Sequence, residues 1–292
     1  MKKFAIATLL VATTMVASAQ VTLSGKISEF VDNTQTGAAS KNSLVTDPTS
    51  NITISVNENI GGLKARIVLD TSLAANDPTG SAATKLGDRQ STIGLAGSMG
   101  SVDLGRNLHS HFLAITNNDV FGTLYGSIAG DIHNLRGLRM SNGTFFALAP
   151  VAGVTATYDR TQADVGPEAS SYSASASIMG VNAVVAQYTQ GAEQSTVYGA
   201  STKLAGMQVS YTHSDDKGLH AHTGDLLGVS KDFGAVTAKA SYGKTNTNVT
   251  AYALGADYNL SKRTALTVAY RNVDSGAATD VKQVGVGVTH RF

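Results

Sequence analysis

The stretch VGVGVTHRF, residues 284–292, decides the fold, because its side chains alternate strictly between two kinds. Successive side chains of a β-strand point to opposite faces, so one face here is apolar and the other is small or polar. The apolar face contains Val284, Val286, Val288 and Phe292. A soluble β-protein would normally continue into a polar tail, whereas an outer-membrane barrel closes with a strand that faces lipid. The stretch therefore predicts the closing strand of a transmembrane β-barrel, with Phe292 as the signal for the barrel-assembly machinery.

The opposite end of the sequence predicts an export signal. Lys2 and Lys3 form a short basic region, an apolar run of about a dozen residues follows, and Ala17-Ser18-Ala19 matches the small-residue cleavage pattern. We therefore expect residues 1–19 to be a cleaved signal peptide and residues 20–292 to form one transmembrane β-barrel domain. No later run of about 18 apolar residues exists, so the sequence predicts no membrane-spanning helix.

Composition excludes several classes of protein. Only 15% of the 292 residues are charged, below the roughly 25% typical of soluble domains. Cysteine is absent, so disulfides do not stabilise the exported chain. Lysine and arginine number 22, and removal of Lys2 and Lys3 leaves 20 against 21 acidic residues. This balance does not favour binding to nucleic acid.

The rest of the chain repeats strands of about ten residues joined by turns that alternate between short and long. In residues 63–69 one face contains Leu63, Ala65, Ile67 and Leu69, which leaves Lys64 and Arg66 on the opposite face. Lys26 has the same relation to its apolar neighbours in the first strand. The count gives about sixteen strands, an all-β antiparallel barrel with both ends on the short-turn side.

Lipid is a costly environment for these cations. Arginine or lysine facing lipid at mid-barrel costs about 2–4 kcal/mol, so Lys26, Lys64 and Arg66 are expected to face water in the lumen. A position at the rim of the barrel is the alternative for all three. Arg89 shares its parity with Ile93 and Leu95. Those two residues therefore form an inner-wall patch beneath a loop, or Arg89 lies at the rim.

The longest segment without clear alternation runs from about residue 108 to residue 136. A structureless loop of that length is improbable in a compact domain unless it has a function. Folded into a wide barrel, such a loop would narrow the lumen and set its selectivity by size and charge. An extracellular surface loop is the alternative.

Several segments in order resemble the general porins of Gram-negative bacteria, in particular the trimeric porins of β-proteobacteria. The segments are VTLSG at 21–25, ENIGGLKA at 58–65, RQSTIGL at 89–95, MGSVDLGRN at 99–107, RMSN at 139–142 and HRF at 290–292. The resemblance implies a sixteen-stranded, trimeric outer-membrane pore with no cofactor. It also implies a third loop inside the lumen and wall arginines that face acidic residues of that loop.

Carried over to this sequence, the resemblance makes Arg89 and Arg139 wall arginines and Lys26 a lumen-facing lysine. Arg106 lies within the matching segment but shares the parity of Val102 and Leu104, which favours a trimer contact. The chain also departs from the family.

Asn51 stands where the family usually has arginine, and the acidic signature of the third loop is missing. Asp119 and Asp131 are left as the candidate acids of the constriction. Both departures weaken the expected electric field across the pore.

Other chemistry has little support in the sequence. His109 and His111, like His220 and His222, form a His-x-His pair that could begin a metal site. No cysteine or convergent carboxylate accompanies either pair, so solvated loop histidines without metal are expected. No nucleophile elbow, phosphate loop or zinc-protease motif is present.

Three functions remain open at this point. A passive diffusion channel for small hydrophilic solutes and ions, weakly selective for anions, agrees with the strand count and the inward loop. A barrel-borne enzyme would need fewer strands and a catalytic cluster assembled from distant strands. A secreted β-sandwich or adhesin disagrees with the closing strand at Phe292. We therefore predict a homotrimeric channel in the lipid of the outer membrane.

Overall fold

The computed structural model describes residues 19–74, 85–162, 167–276 and 280–292. Apart from Ala19, the predicted signal peptide lies outside the described residues. The remaining chain consists almost entirely of strands, as the alternating pattern predicts.

The described residues form seventeen strands and two short helices. The first strands are β1 Gln20–Thr36, β2 Ala39–Thr46, β3 Asn51–Ile60, β4 Leu63–Ser72, β5 Gln90–Gly97 and β6 Gly100–Leu108. The helices α1 Ser110–Thr116 and α2 Ala129–Ile132 follow. The next strands are β7 Arg139–Leu148, β8 Val154–Thr161, β9 Ala169–Ile178, β10 Val181–Gln190, β11 Glu193–Leu204 and β12 Met207–Lys217. The last are β13 His222–Phe233, β14 Val236–Thr245, β15 Thr250–Asn259, β16 Thr264–Asp274 and β17 Val281–Arg291.

The strands close into an antiparallel barrel with sixteen positions. From β3 onward each strand pairs with the next, and β17 pairs with β1. β2 and β3 share one position, because both pair along β1, at residues 29–36 and 20–26 respectively. The buried Asp47 and Ser50 occupy the break between them. The predicted fold class is confirmed.

One segment differs from the sequence-based expectation. Residues 33–48 are mostly polar and lack the alternation of the other strands, yet they form the end of β1, a tight turn at Gly37 and the whole of β2. Both faces of this hairpin are largely polar, so it carries no alternation for a sequence pattern to detect. Backbone pairing between Thr36 and Ala39 extends the barrel wall beyond the apolar band.

The outer surface is apolar across most of the barrel. Large apolar side chains remain exposed at alternate strand positions, among them Val21, Leu23, Ile93, Leu104 and Val286. Such a band requires a lipid environment, because soluble proteins rarely expose large contiguous apolar patches.

Residues 109–138, called the inward loop here, connect β6 to β7 and lie inside the barrel. Ile115, Phe121 and Ile128 of this loop are fully or almost fully buried, and they belong to one apolar cluster with wall residues such as Val197 and Leu226. α1 contacts β8 to β11, and α2 contacts β13 to β15. The inward position is therefore confirmed, and the surface-loop alternative was wrong.

Two glycines of the wall make this packing possible. A Cβ atom at Gly285 would overlap the phenol of Tyr125, and one at Gly224 would overlap the carbonyl oxygen of Ile132. The backbone of the wall therefore approaches the inward loop closely at both places.

Among the described residues, no helix has the length and apolar character needed to cross a bilayer.

Candidate functional site

Three of the predicted wall cations lie on one side of the lumen. Lys26 Nζ is 3.7 Å from Asp47 Oδ1, and its ammonium group interacts electrostatically with Arg89 and Arg291. Arg89 in turn interacts with Arg139. We call Lys26, Arg89 and Arg139 the basic cluster.

Arg89 lies immediately before β5, and its side chain contacts Asp70 and Pro48. Its Nε donates to Asp70 Oδ2 over 2.9 Å, and its Nη1 donates to the carbonyl oxygen of Pro48 over 2.6 Å. Ile93 and Leu95 are exposed on the outside. The inner-wall patch of Ile93 and Leu95 was therefore wrong, and Arg89 precedes the strand that carries these two residues.

Arg66 faces the lumen but is neutralised there. Its Nε donates to Asp103 Oδ1 over 2.6 Å, its Nη2 contacts the other carboxylate oxygen, and Nη2 also donates to Ser101 over 3.0 Å. Gly94 of β5 stands between the two strands, and a Cβ atom there would overlap Asp103. Lys64 is exposed beside the tight turn that precedes β4, so it lies close to the rim on the short-turn side.

The two predicted loop acids do not face the basic cluster with free carboxylates. Asp119 Oδ1 accepts from the amide of Phe121, and Oδ2 accepts from the amide of Thr123 and the hydroxyl of Ser127. This buried carboxylate thus fixes the shape of the loop. Asp131 Oδ2 is 3.0 Å from Arg271 Nη1. Burial raises the pKa of Asp131, and the Arg271 charge opposes that shift.

Sequence reasoning missed the acids that hold both the cations and the loop. Asp47 contacts Lys26 and also accepts from the amide of Tyr125 over 2.7 Å. The Tyr125 hydroxyl donates to Asp32, and its ring stacks on Phe30 at 4.0 Å between centroids. Burial is the main cause that raises the pKa of Tyr125.

A sequence signal existed for two further lumen residues, Arg271 and Lys239. Each lies on the parity opposite to the apolar residues of its strand, the same relation that identified Lys64 and Arg66. Lys239 Nζ is 2.7 Å from Asp257 Oδ2. The inner wall thus presents several cations that are paired with acids of the wall or of the inward loop.

The expectation of solvated histidines was wrong for the first His-x-His pair. His109 and His111 are both fully buried between the inward loop and the wall, as is His133 further along the loop. His111 Nε2 is 2.7 Å from the hydroxyl of Ser195. In the second pair, His220 is exposed and His222 is mostly buried. Across the described part of the chain, no three His, Cys, Asp or Glu side chains converge as a metal site.

Arg136 joins the inward loop to two turns on the long-turn side. Its Nη1 donates to Glu193 Oε2 over 2.5 Å, and its Nη2 donates to Asp216 Oδ1 over 3.1 Å. The side chains of Arg136 and Asp216 are 5% and 0% exposed, respectively. A buried pair of this kind holds the loop firmly, because removal of one partner leaves the other charge without compensation.

Open space remains between the inward loop and the wall. A recess of about 530 Å³ lies beside α1. Hydroxyl and amide side chains line much of it, including Ser110, Asn117, Asn118, Thr155, Thr157, Ser173, Ser175 and Asn182. The lumen therefore has a charged side at the basic cluster and an uncharged polar side at β8 to β11.

Comparison with protein families identifies the chain. The model of the Gram-negative porins matches residues 7–292, nearly the whole sequence. The chain belongs to the Gram-negative porin family. It is therefore a channel protein of the outer membrane and not an enzyme. A comparison with curated protein sequences found no significant match.

Solved structures share the fold at low sequence identity. The anion-selective porin of Comamonas acidovorans is similar with a TM-score of 0.80 and 22% identity, over 94% of this chain and 100% of that one. The trimer form of the Vibrio cholerae outer-membrane protein OmpT has a TM-score of 0.69 and 10% identity, over 94% of this chain and 100% of that one. A triple mutant of the Rhodopseudomonas blastica porin has a TM-score of 0.68 and 16% identity, over 94% of this chain and 100% of that one. These likenesses establish the barrel with its inward loop.

Proposed function

We propose that this porin conducts small hydrophilic solutes with a weak preference for anions, and that the basic cluster causes the preference. Fixed charge along a narrow aqueous passage enriches counter-ions there. Lys26, Arg89 and Arg139 supply positive charge at the constriction, and the nearby Asp47 and Asp70 offset part of it. The partial cancellation explains why a weak preference is expected.

The remaining predicted cations contribute less. Arg66 is neutralised by Asp103, and Lys64 lies near a wide rim where water and salt screen its field. The carboxylate of Asp119 accepts hydrogen bonds within the loop, and that of Asp131 pairs with Arg271. Both therefore reduce the positive potential of the basic cluster only weakly. The Comamonas protein of similar fold is described as anion-selective, which agrees with the proposal.

Reversal potentials across a salt gradient test the preference. We expect an anion-selective sign at low salt that fades as salt rises, because screening acts over about 10 Å at 0.1 M. The double variant R89Q/R139Q should shift the reversal potential towards cations. K262Q, at an exposed turn on the short-turn side, is the control and should leave it unchanged. A cation-selective parent, or no shift in the double variant, would contradict the proposal.

We also propose a homotrimer with Arg106 at the subunit contact. Arg106 pairs opposite Ser91 on the outer parity. Its Nε donates to the carbonyl of Asp88 and its Nη1 to the hydroxyl of Ser141, each over 2.6 Å. A charged group on this face is costly against lipid. A neighbouring subunit would remove it from lipid.

The Arg106 prediction concerns trimer stability. In R106A the trimer should dissociate at a lower temperature than the parent, because the contact loses both the guanidinium and its orienting bonds. Gel mobility of unheated and heated samples in mild detergent reports the dissociation temperature. Equal dissociation temperatures for R106A and the parent would exclude Arg106 from the trimer contact.

A further inference from the structure

We propose that His109 and His111, called the histidine anchor here, hold the inward loop in an acid-sensitive way and that acidification narrows the pore. The two residues begin the loop directly after β6 and lead into α1. Their imidazoles are fully buried between the loop and the wall. The inference does not depend on the ion selectivity of the channel.

The hydrogen bonds of His109 permit only the neutral ring. Its Nδ1 accepts from the amide of Phe112 over 3.2 Å and so caps the N-terminus of α1. Its Nε2 lies 3.2 Å from the carbonyl oxygen of Arg136, so this nitrogen carries the proton and donates. A second proton on Nδ1 would point at the amide proton of Phe112. Protonation therefore breaks the cap, and it places a positive charge at the positive end of a helix.

The environment of His111 also disfavours the charged ring. Nε2 is 2.7 Å from the hydroxyl of Ser195 on β11. Nδ1 is buried and has no hydrogen-bond partner. Protonation would thus bury an N–H group that has no acceptor, which costs free energy beyond that of the charge itself.

Among the residues that the structure describes, no free carboxylate faces the histidine anchor to compensate these charges. The carboxylate of Asp159 on β8 already accepts from the amide and hydroxyl of Ser110. Glu193 and Asp216 are bonded to Arg136. The other groups near the anchor and near His133 are Tyr188, Arg136, His213, His222 and Asp225.

Protonation of His133 also disfavours the docked loop, but less than protonation of His109 does. Its two ring nitrogens lie 2.9 and 2.7 Å from the hydroxyls of Ser214 and Thr212, which can accept as well as donate. Its charged form thus retains both partners, whereas charged His109 keeps its bond to the carbonyl of Arg136 but loses its bond with the amide of Phe112.

The direction of the pH effect follows from burial. Burial lowers the pKa of His109 from its ordinary 6.5 to about 4, and it lowers the pKa of His111 well below the ordinary value. The docked loop is therefore fully favoured above pH 6.5 and becomes less stable as the pH falls from 6.5 towards 4. For His109 alone, a pKa of about 4 in the docked state limits the shift of the docking equilibrium to about 300-fold, and this limit is approached only below pH 4.

Release of the anchor narrows the channel. α1 packs against β8 to β11, so the barrel wall limits its movement outward, and the open recess beside α1 leaves room for it to move within the lumen. The loop remains attached through Tyr125 to Asp32 and through Asp131 to Arg271. We therefore expect partial, reversible closure and not loss of the loop from the lumen.

Single-channel conductance in planar bilayers between pH 7.5 and 3.5 tests this. The parent should lose conductance reversibly, with flickering, as the pH falls below 6.5. The double variant H109N/H111Q should keep its open conductance, because asparagine caps a helix without titrating and glutamine retains a polar contact to Ser195. H290Q, which alters an exposed histidine on β17, is the control and should behave like the parent.

A second measurement follows the loop itself. The chain has no cysteine, so spin labels can be placed at L113C on α1 and S177C on β9, which are exposed positions beside the recess. The distance between the labels should change on acidification with the native anchor, and it should remain constant with H109N/H111Q. A pH-independent parent would overturn the inference, as would the same acid response in parent and double variant or an unchanged label distance.

Discussion

Replacing Arg136 with alanine is expected to loosen the inward loop more than any other single change there. Asp216 would keep a buried carboxylate with only the imidazole of His222, 3.7 Å away, beside it, and removal of one partner of a buried pair typically costs about 3–5 kcal/mol. The loop would lose its attachment to the turn at Glu193 as well. Single-channel recordings should show frequent brief closures, and amides of residues 109–138 should exchange hydrogen faster.

Arg160 provides a matched control for this prediction. Arg160 Nη2 is 2.5 Å from Glu168 Oε2, but both side chains are about half exposed, at 46% and 50%. Exposed pairs of this kind contribute little, because water and salt screen them. R160A should therefore leave the frequency of brief channel closures and the rate of amide hydrogen exchange unchanged. If R136A shows no additional brief closures and exchanges amide hydrogen at the rate of the parent, Arg136 does not hold the loop.

The barrel itself could be predicted because its pattern is imposed by the solvent on each face. Lipid requires an apolar row on the outside, and the alternation at residues 63–69 and 284–292 records that requirement directly. The β1–β2 hairpin escaped prediction because polar residues occupy both of its faces. Where lipid does not contact the outer face, the strand is held only by backbone hydrogen bonds. Backbone hydrogen bonds do not require apolar and polar residues to alternate, so the sequence contains no sign of the strand.

The contents of the lumen were harder to predict than the wall. Parity predicted that Lys26 and Arg66 face the lumen, but it could not identify Asp47 and Asp103 as their partners. Those contacts depend on strand register and on Gly94, which leaves room for Arg66 to reach across β5. A register therefore had to be known before the charges could be paired.

The histidines show a second reason why the contents of the lumen were hard to predict from the sequence. A histidine in an irregular segment is usually solvated, and that expectation failed because the whole segment turns inward. Once the loop occupies the lumen, its polar side chains must bond to the wall, and Ser195 and Thr212 provide the hydroxyls. A segment without periodicity carries no signal of the surface that it will contact.

Deletion of Phe292 is expected to impair barrel closure severely. The amide of Phe292 donates to the carbonyl of Gly25, and the amide of Gly25 donates to the carbonyl of Phe292, each over 3.0 Å. The ring lies over Gly25, where a Cβ atom would clash with it. Phe292 thus completes the pairing of β17 with β1 and covers a glycine that has no side chain to pack.

Folded trimer in the outer membrane, detected by its altered gel mobility before and after heating, measures the effect. The deletion should leave little folded protein, and F292A should give an intermediate amount, because it keeps the backbone bonds and loses the ring. F292Y is the matched control and should fold like the parent, since an aromatic ring still covers Gly25. Loss in F292A equal to that in the deletion would assign the effect to the ring alone. Normal folding after deletion would show that β17 closes on β1 through the eleven residue pairs from Lys26–Arg291 to Thr36–Val281 and that Phe292 is not an assembly signal.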